Sequence, residues 1–244
     1  VKEDHIIELN FDDFENEEYQ DPKVTSPYLK SKIVDSDMYY FLLDEIQLLN
    51  KFEAVLNGLL RFENVDIYVT GSNAKFLSKD VITEFRGRGF EIRVYPFSFS
   101  EYMSAYQGSL QSGINEYMLY GGLPQILSYK TDEHKTLFLK SLFEETYIKD
   151  IKERYNIRKD DDLEELINTL ASGIGTLTNP NRLSNTFKSE KRSSISYDTV
   201  KDYIEYLCDS FIVEKTERYD VKGKNYINSL HKYYFMDLGL RNAR

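Results

Sequence analysis

Two adjacent acids, Asp44 and Glu45, close the apolar run Phe41-Leu42-Leu43, and that placement suits the splitting of a phosphoanhydride. At the carboxyl edge of a parallel sheet, the first acid holds a hydrated magnesium ion and the second polarises the attacking water. The two roles need neighbouring acids. A solvated strand end accounts for the same pair, because apolar strands that finish in Asp-Glu are common.

A second polar set lies one helix later. Ile67-Tyr68-Val69-Thr70-Gly71-Ser72-Asn73 ends a strand in small polar residues, from which Asn73 or Ser72 would touch a γ-phosphate or the attacking water from the opposite side. The same residues suit a turn capping a helix that begins near Lys75. Arg86-Gly87-Arg88-Gly89 follows, where glycines bare the backbone and two guanidiniums offer fork-shaped donors to phosphate, or simply make a solvated turn.

Groups of this kind need a sheet to carry them. His5 to Leu9 reads as a strand entering a charged loop or helix start over Asp12 to Glu18. Met38 to Leu43 is continuously apolar and predicts a strand buried on both faces of a parallel sheet. Leu49, Phe52, Val55, Leu56, Leu59 and Leu60 recur at helical spacing, and Val65 to Thr70 returns to strand character. Lys75 to Phe85 predicts a helix, Phe90 to Val94 a strand, and Pro96 to Tyr102 a turn entering a helix.

From about Asn115 the pattern is mainly helical, interrupted at Gly121-Gly122-Leu123-Pro124 and continued in a long amphipathic segment, Lys135 to Ile151. Three helical runs follow, Leu163 to Ala171, Pro180 to Phe187 and Tyr197 to Cys208. Strands over Phe211 to Lys215 and Lys232 to Phe235 flank a Lys222-Gly223-Lys224 turn. Three helices and a two-stranded wing make a winged helix-turn-helix.

Composition sets the limits. With 244 residues, 41% hydrophobic and 14% aromatic, the chain can build one large domain or two smaller ones. A single cysteine, Cys208, excludes an internal disulfide framework, and His5, His134 and His231 lie too far apart for a local metal motif. Zinc and Cys-His chemistry are therefore not expected. No apolar run reaches a membrane span and the acidic start is unlike a signal peptide, so the expected location is the cytoplasm. A net charge of -10 is a poor match to a protein whose whole surface tracks nucleic acid.

The ordered set Tyr-Tyr-Phe-Leu-Leu-Asp-Glu-Ile-Gln, Thr-Gly-Ser-Asn, Arg-Gly-Arg, Tyr-Pro-Phe-Ser-Phe-Ser-Glu-Tyr and Gly-Gly-Leu-Pro resembles bacterial and archaeal AAA+ ATPases with a C-terminal region of the DUF4143 type. The stretches Ser196 to Leu207 and Lys232 to Leu240 resemble the winged-helix part of that family and the strand after it. The resemblance implies an α/β fold: a parallel-sheet P-loop NTPase (AAA+) core over residues 1–110, a helical region over 111–158 and a winged helix over 159–244. It implies that Asp44 is the magnesium-associated acid, Glu45 the catalytic acid and Asn73, with Ser72, the polar sensor. Arg88 and Arg86 then act within their own subunit, across a subunit interface of a homo-oligomer, or structurally. The implied ligands are ATP and Mg2+.

One element of that family pattern is missing. Nowhere in the chain is there Gly-x-x-x-x-Gly-Lys-Ser/Thr, the loop whose amides and lysine cradle phosphates. The family places it ahead of a strand like His5 to Leu9, so the expectation is a natural N-terminus upstream of Val1, a core truncated at its start, and a fragment inactive by itself. The resemblance also implies that Asp237 to Arg241 leads into a further C-terminal domain resembling nuclease folds.

A binding module with a vestigial ATPase core is the alternative. Between Asn179 and Lys201, Arg182, Lys188, Lys191, Arg192 and Lys201 outnumber Glu190 and Asp198, which favours salt-sensitive contact with DNA phosphates through the winged helix. Asp198, Asp202 and Glu205 on the third helix oppose it and leave protein docking open. No residue encodes what hydrolysis would drive.

Overall fold

A computed structural model describes residues 2–71, 89–157, 160–190, 195–216 and 230–244. The chain divides into two compact units, Val1–Ile92 and Arg93–Arg244, each with its own packing.

Among the described residues the first unit is built on three parallel strands, β1 (Ile6–Asn10), β2 (Tyr39–Asp44) and β3 (Val65–Val69), in the order β1-β2-β3. The register sets Leu9 beside Leu43 and Phe41 beside Ile67, so like side chains line one face. On that face Ile7, Leu9, Tyr39, Phe41 and Leu43 are buried with Leu29 of helix α1 (Pro22–Ser31) and with Phe52, Val55, Leu56 and Leu59 of helix α2 (Phe52–Leu59). Burial of each such side chain contributes about 1.5–3 kcal/mol.

The other face differs from expectation. Ile6, Leu42 and Tyr68 are exposed, so β2 buries alternate residues in spite of its continuous apolar sequence. The period of two reappears because only one pleat face meets the helices among the described residues. Helix α1, which the apolar spacing did not predict, starts from Asp21, whose side chain accepts the Lys23 amide at 2.8 Å, with Pro22 in the first turn. Phe90 to Val94 is not a strand: Phe90 and Val94 are 88% and 93% exposed, and the run pairs with no strand among the described residues. An extended run without a partner strand gains no ladder hydrogen bonds.

The second unit is mainly helical: α3 (Phe99–Ala105), α4 (Leu110–Tyr120), α5 (Asp132–Ser141), α6 (Lys149–Arg154), α7 (Asp160–Ser172), α8 (Pro180–Glu190), α9 (Tyr197–Asp209) and α10 (Leu238–Asn242). Helix α3 begins in a capping box, with Ser98 and Glu101 each satisfying the other's backbone amide. The segment expected as one amphipathic helix is divided, since a π-helical stretch, Leu142–Ile148, separates α5 from α6. Strands β4 (Val213–Thr216) and β5 (Lys232–Phe235) pair antiparallel, Val213 opposite Phe235. The turn between them, at Lys222-Gly223-Lys224, lies outside the described residues. Among the described residues an apolar core that includes Ile126, Phe143, Ile151, Leu163, Val200, Leu207 and Tyr233 runs through this unit.

Candidate functional site

Central strand β2 delivers Asp44 to the carboxyl edge of the sheet, level with Asn10 of β1. Three backbone bonds fix this edge: Phe11 N–H to the Asp44 carbonyl at 3.1 Å, Thr70 N–H to Leu43 at 3.0 Å, and Ile46 N–H to Thr70 at 3.1 Å. The chain then turns sharply. Glu45 sits in the left-handed region at φ 52 and ψ 46, a conformation that costs a non-glycine residue about 1–3 kcal/mol.

Side chains hold that turn in place. Glu45 N–H donates to Thr70 Oγ1 at 3.3 Å, and the Thr70 hydroxyl in turn donates to Asp44 Oδ1. Gln47 Nε2 donates to Glu45 Oε2. A Cβ on Gly71 would come within 2.7 Å of Gln47 Oε1, so glycine there leaves room for the amide that steers Glu45. Asp44 is exposed and Glu45 half-buried. Carboxylate and hydroxyl oxygens are hard donors, which fits magnesium better than a soft metal.

The structure thus brings Asp44 and Glu45 together with Thr70 and Gln47, two residues that sequence reasoning did not single out. Gln47 was visible as the glutamine two positions after Glu45. Thr70 required the β2–β3 register. Ser72, Asn73, Arg86 and Arg88 lie outside the described residues.

Two other motifs prove structural. Asp237 is buried, and its carboxylate accepts the Gly122 amide at 2.7 Å and the Leu240 amide at 3.0 Å. Burial raises its pKa, while hydrogen bonds from Gly122, Leu240 and Gly239 partly oppose the rise. Gly121, at φ +78, has no room for a Cβ, which would collide with the Asp237 carboxylate. Asn242 adds bonds from its Nδ2 to the Met118 and Leu119 carbonyls at 3.0 and 2.9 Å. The Gly-Gly-Leu-Pro run and the segment after β5 are therefore two halves of one latch. On α9, Asp198, Asp202 and Glu205 all face solvent, as do Arg182 and Lys188 on α8.

Residues 1–103 match the family model described as AAA domain. Residues 111–244, more than half of the chain, match the one described as Domain of unknown function (DUF8612). The chain belongs to the DUF8612 family. The C-terminal region was expected to be of the DUF4143 type, and the model that matches it is DUF8612 instead. This DUF8612 chain is 34% identical over 247 residues to an uncharacterized protein of Haemophilus influenzae, covering 99% of the chain and 61% of that protein. It is 26% identical over 206 residues to the uncharacterized protein MJ1544 of Methanocaldococcus jannaschii, covering 80% of the chain and 46% of that protein. The chain thus spans only about half to three-fifths of the lengths of these relatives.

Among solved structures, the Walker-type ATPase PABY2304 of Pyrococcus abyssi matches with a TM-score of 0.61 at 15% identity, covering 98% of this chain and 83% of that one. At that identity the likeness speaks for fold. The DUF8612 chain has an α/β core of the P-loop ATPase type followed by a helical region. No helix among the described residues is long and apolar enough to cross a membrane.

Proposed function

We propose that the complete DUF8612 protein hydrolyses ATP with magnesium, using Asp44 and Glu45. The observation that carries this is the pair's position at the carboxyl end of the central strand, with Thr70 tying the two acids to the neighbouring strand. Ligands of open α/β sheets bind at that edge.

Asp44 would hold the magnesium, and the ion when bound would supply positive charge to the phosphates. Glu45 acts as the base. Its Oε2 is engaged by Gln47, so Oε1 is the oxygen that accepts hydrogen from the attacking water. The left-handed backbone at Glu45 supports a reading in which the two neighbouring carboxylates take separate tasks. Residues 1–244 hold no Gly-x-x-x-x-Gly-Lys-Ser/Thr, and the chain spans only part of its relatives' length, so phosphate binding is proposed of the complete protein.

The test compares Mg-ATP turnover by the full-length protein with that of its Glu45→Gln variant. The variant should bind ATP normally and lose turnover by about 100- to 10,000-fold, the usual worth of a general base. Turnover near the wild-type rate would sink the assignment.

A further inference from the structure

At the opposite end of β2 from Asp44, a second polar cluster forms around His5. We propose that His5 Nε2, with the carboxylates of Asp35 and Asp37, binds a divalent transition-metal ion of the zinc class.

His5 is 4% exposed and its ring stacks on Tyr39, with centroids 4.2 Å apart and planes 9° from parallel. Its Nδ1 lies 3.3 Å from the Met38 carbonyl. A carbonyl only accepts, so Nδ1 carries a proton, and Nε2 is the ring nitrogen that faces the cluster. There Nε2 meets Asp35 Oδ2 at 3.5 Å and Asp4 Oδ1 at 3.9 Å. A buried imidazole nitrogen beside carboxylate oxygens is a mixed nitrogen and oxygen donor set for a cation.

The surroundings orient the ligands as outer-shell partners of a metal do. Asp35 Oδ1 accepts the Tyr39 hydroxyl at 3.2 Å and the Asp37 amide at 2.9 Å, which directs Oδ2 at the imidazole. Asp37 pairs with Lys2 at 2.8 Å, so the lysine ammonium competes with a metal ion for this carboxylate. The ligand atoms of His5, Asp35 and Asp37 lie within 4.8 Å of one another. A tetrahedral zinc with bonds of about 2.0–2.2 Å needs its ligands about 3.3–3.6 Å apart. Asp37 is exposed, and binding would require its side chain to leave Lys2 and turn toward His5. A cleft of about 390 Å³ lined by Lys2, His5, Asp37, Met38 and Tyr40 gives the ion its entry.

One imidazole with carboxylates suits zinc and its neighbours, not the all-oxygen cages of calcium or magnesium. The ion would staple the turn before β1 to the loop before β2.

The experiment is a calorimetric titration of EDTA-treated, nucleotide-free, full-length protein with Zn2+. One equivalent should bind. Asp37→Asn and Asp35→Asn should each weaken it about tenfold or more, and Lys2→Ala should tighten it by removing the competing charge. Asp37 is exposed, so its variant should keep the wild-type circular dichroism and melting temperature without zinc, separating lost binding from lost fold. Absence of stoichiometric binding would overturn the proposal, leaving His5 as a partner of the carboxylates alone. Equal binding by wild type, Asp37→Asn and Asp35→Asn would overturn it too, because the ion would then sit elsewhere.

Discussion

Asp237→Asn probes the latch that joins the two halves of the second unit. Asparagine keeps one acceptor oxygen for the Leu240 amide but turns an NH2 group toward the Gly122 N–H, which now approaches at 2.7 Å. An orphaned buried amide costs about 1–3 kcal/mol. Removing the carboxylate also removes its desolvation cost, which pulls the net loss at neutral pH toward about 2 kcal/mol. In a unit of this size each kcal/mol moves the melting temperature by about 2–4 °C, so calorimetry should find a drop of about 4–8 °C. The pH dependence supplies a second check. Burial raises the native pKa of Asp237 above its unfolded value, so the group's contribution to stability is complete below the unfolded pKa and is lost as pH rises through the native one. The stability gap between wild type and variant should therefore widen in acid and narrow toward neutrality. A melting temperature within about 1 °C of wild type, or a gap that widens with rising pH, would refute the latch.

Thr70→Val should lower ATP turnover by at least about tenfold, since it strips the shared partner from Asp44 and the Glu45 amide; steady-state kinetics of the full-length protein decide this. Lys135 is buried against Glu116, which also accepts the Tyr106 hydroxyl at 2.9 Å. Lys135→Met should destabilise by about 2–3 kcal/mol in urea, below the full cost of breaking a buried pair because Glu116 is partly exposed. Burial pushes the Cys208 thiol up to about 11, so iodoacetamide at neutral pH should label it only as the unit unfolds. Rapid labelling of the native protein would contradict that packing.

The acids Asp44 and Glu45 were legible because their types and position at the end of an apolar run are local facts. Thr70 was not, because its part depends on which strand lies beside β2. The His5 cluster escaped for a related reason: counting histidines along the chain finds them too far apart, whereas parallel pairing of β1 with β2 brings Asp35 and Asp37 to His5. Apolar content also misled at Phe90 to Val94, where alternation with no partner strand among the described residues produced no strand. In β2 a wholly apolar run still buries alternate residues, since periodicity follows the packing partner and not the run itself. Asp237 read as part of a family motif. Its carboxylate's reach to Gly122, 115 residues back, has no local signature.

That separation has a consequence during synthesis. Ribosomes add about 5–20 residues per second, so the Gly122 amide waits roughly 6–23 s for Asp237 to be made, given the 115 intervening positions. Until then the end of α4 also lacks Asn242, and the apolar surfaces that α10 covers stay open to water and to chaperones. The helical unit is thus a nascent chain that cannot settle as it emerges, and it becomes one cooperative body only when translation has passed the latch.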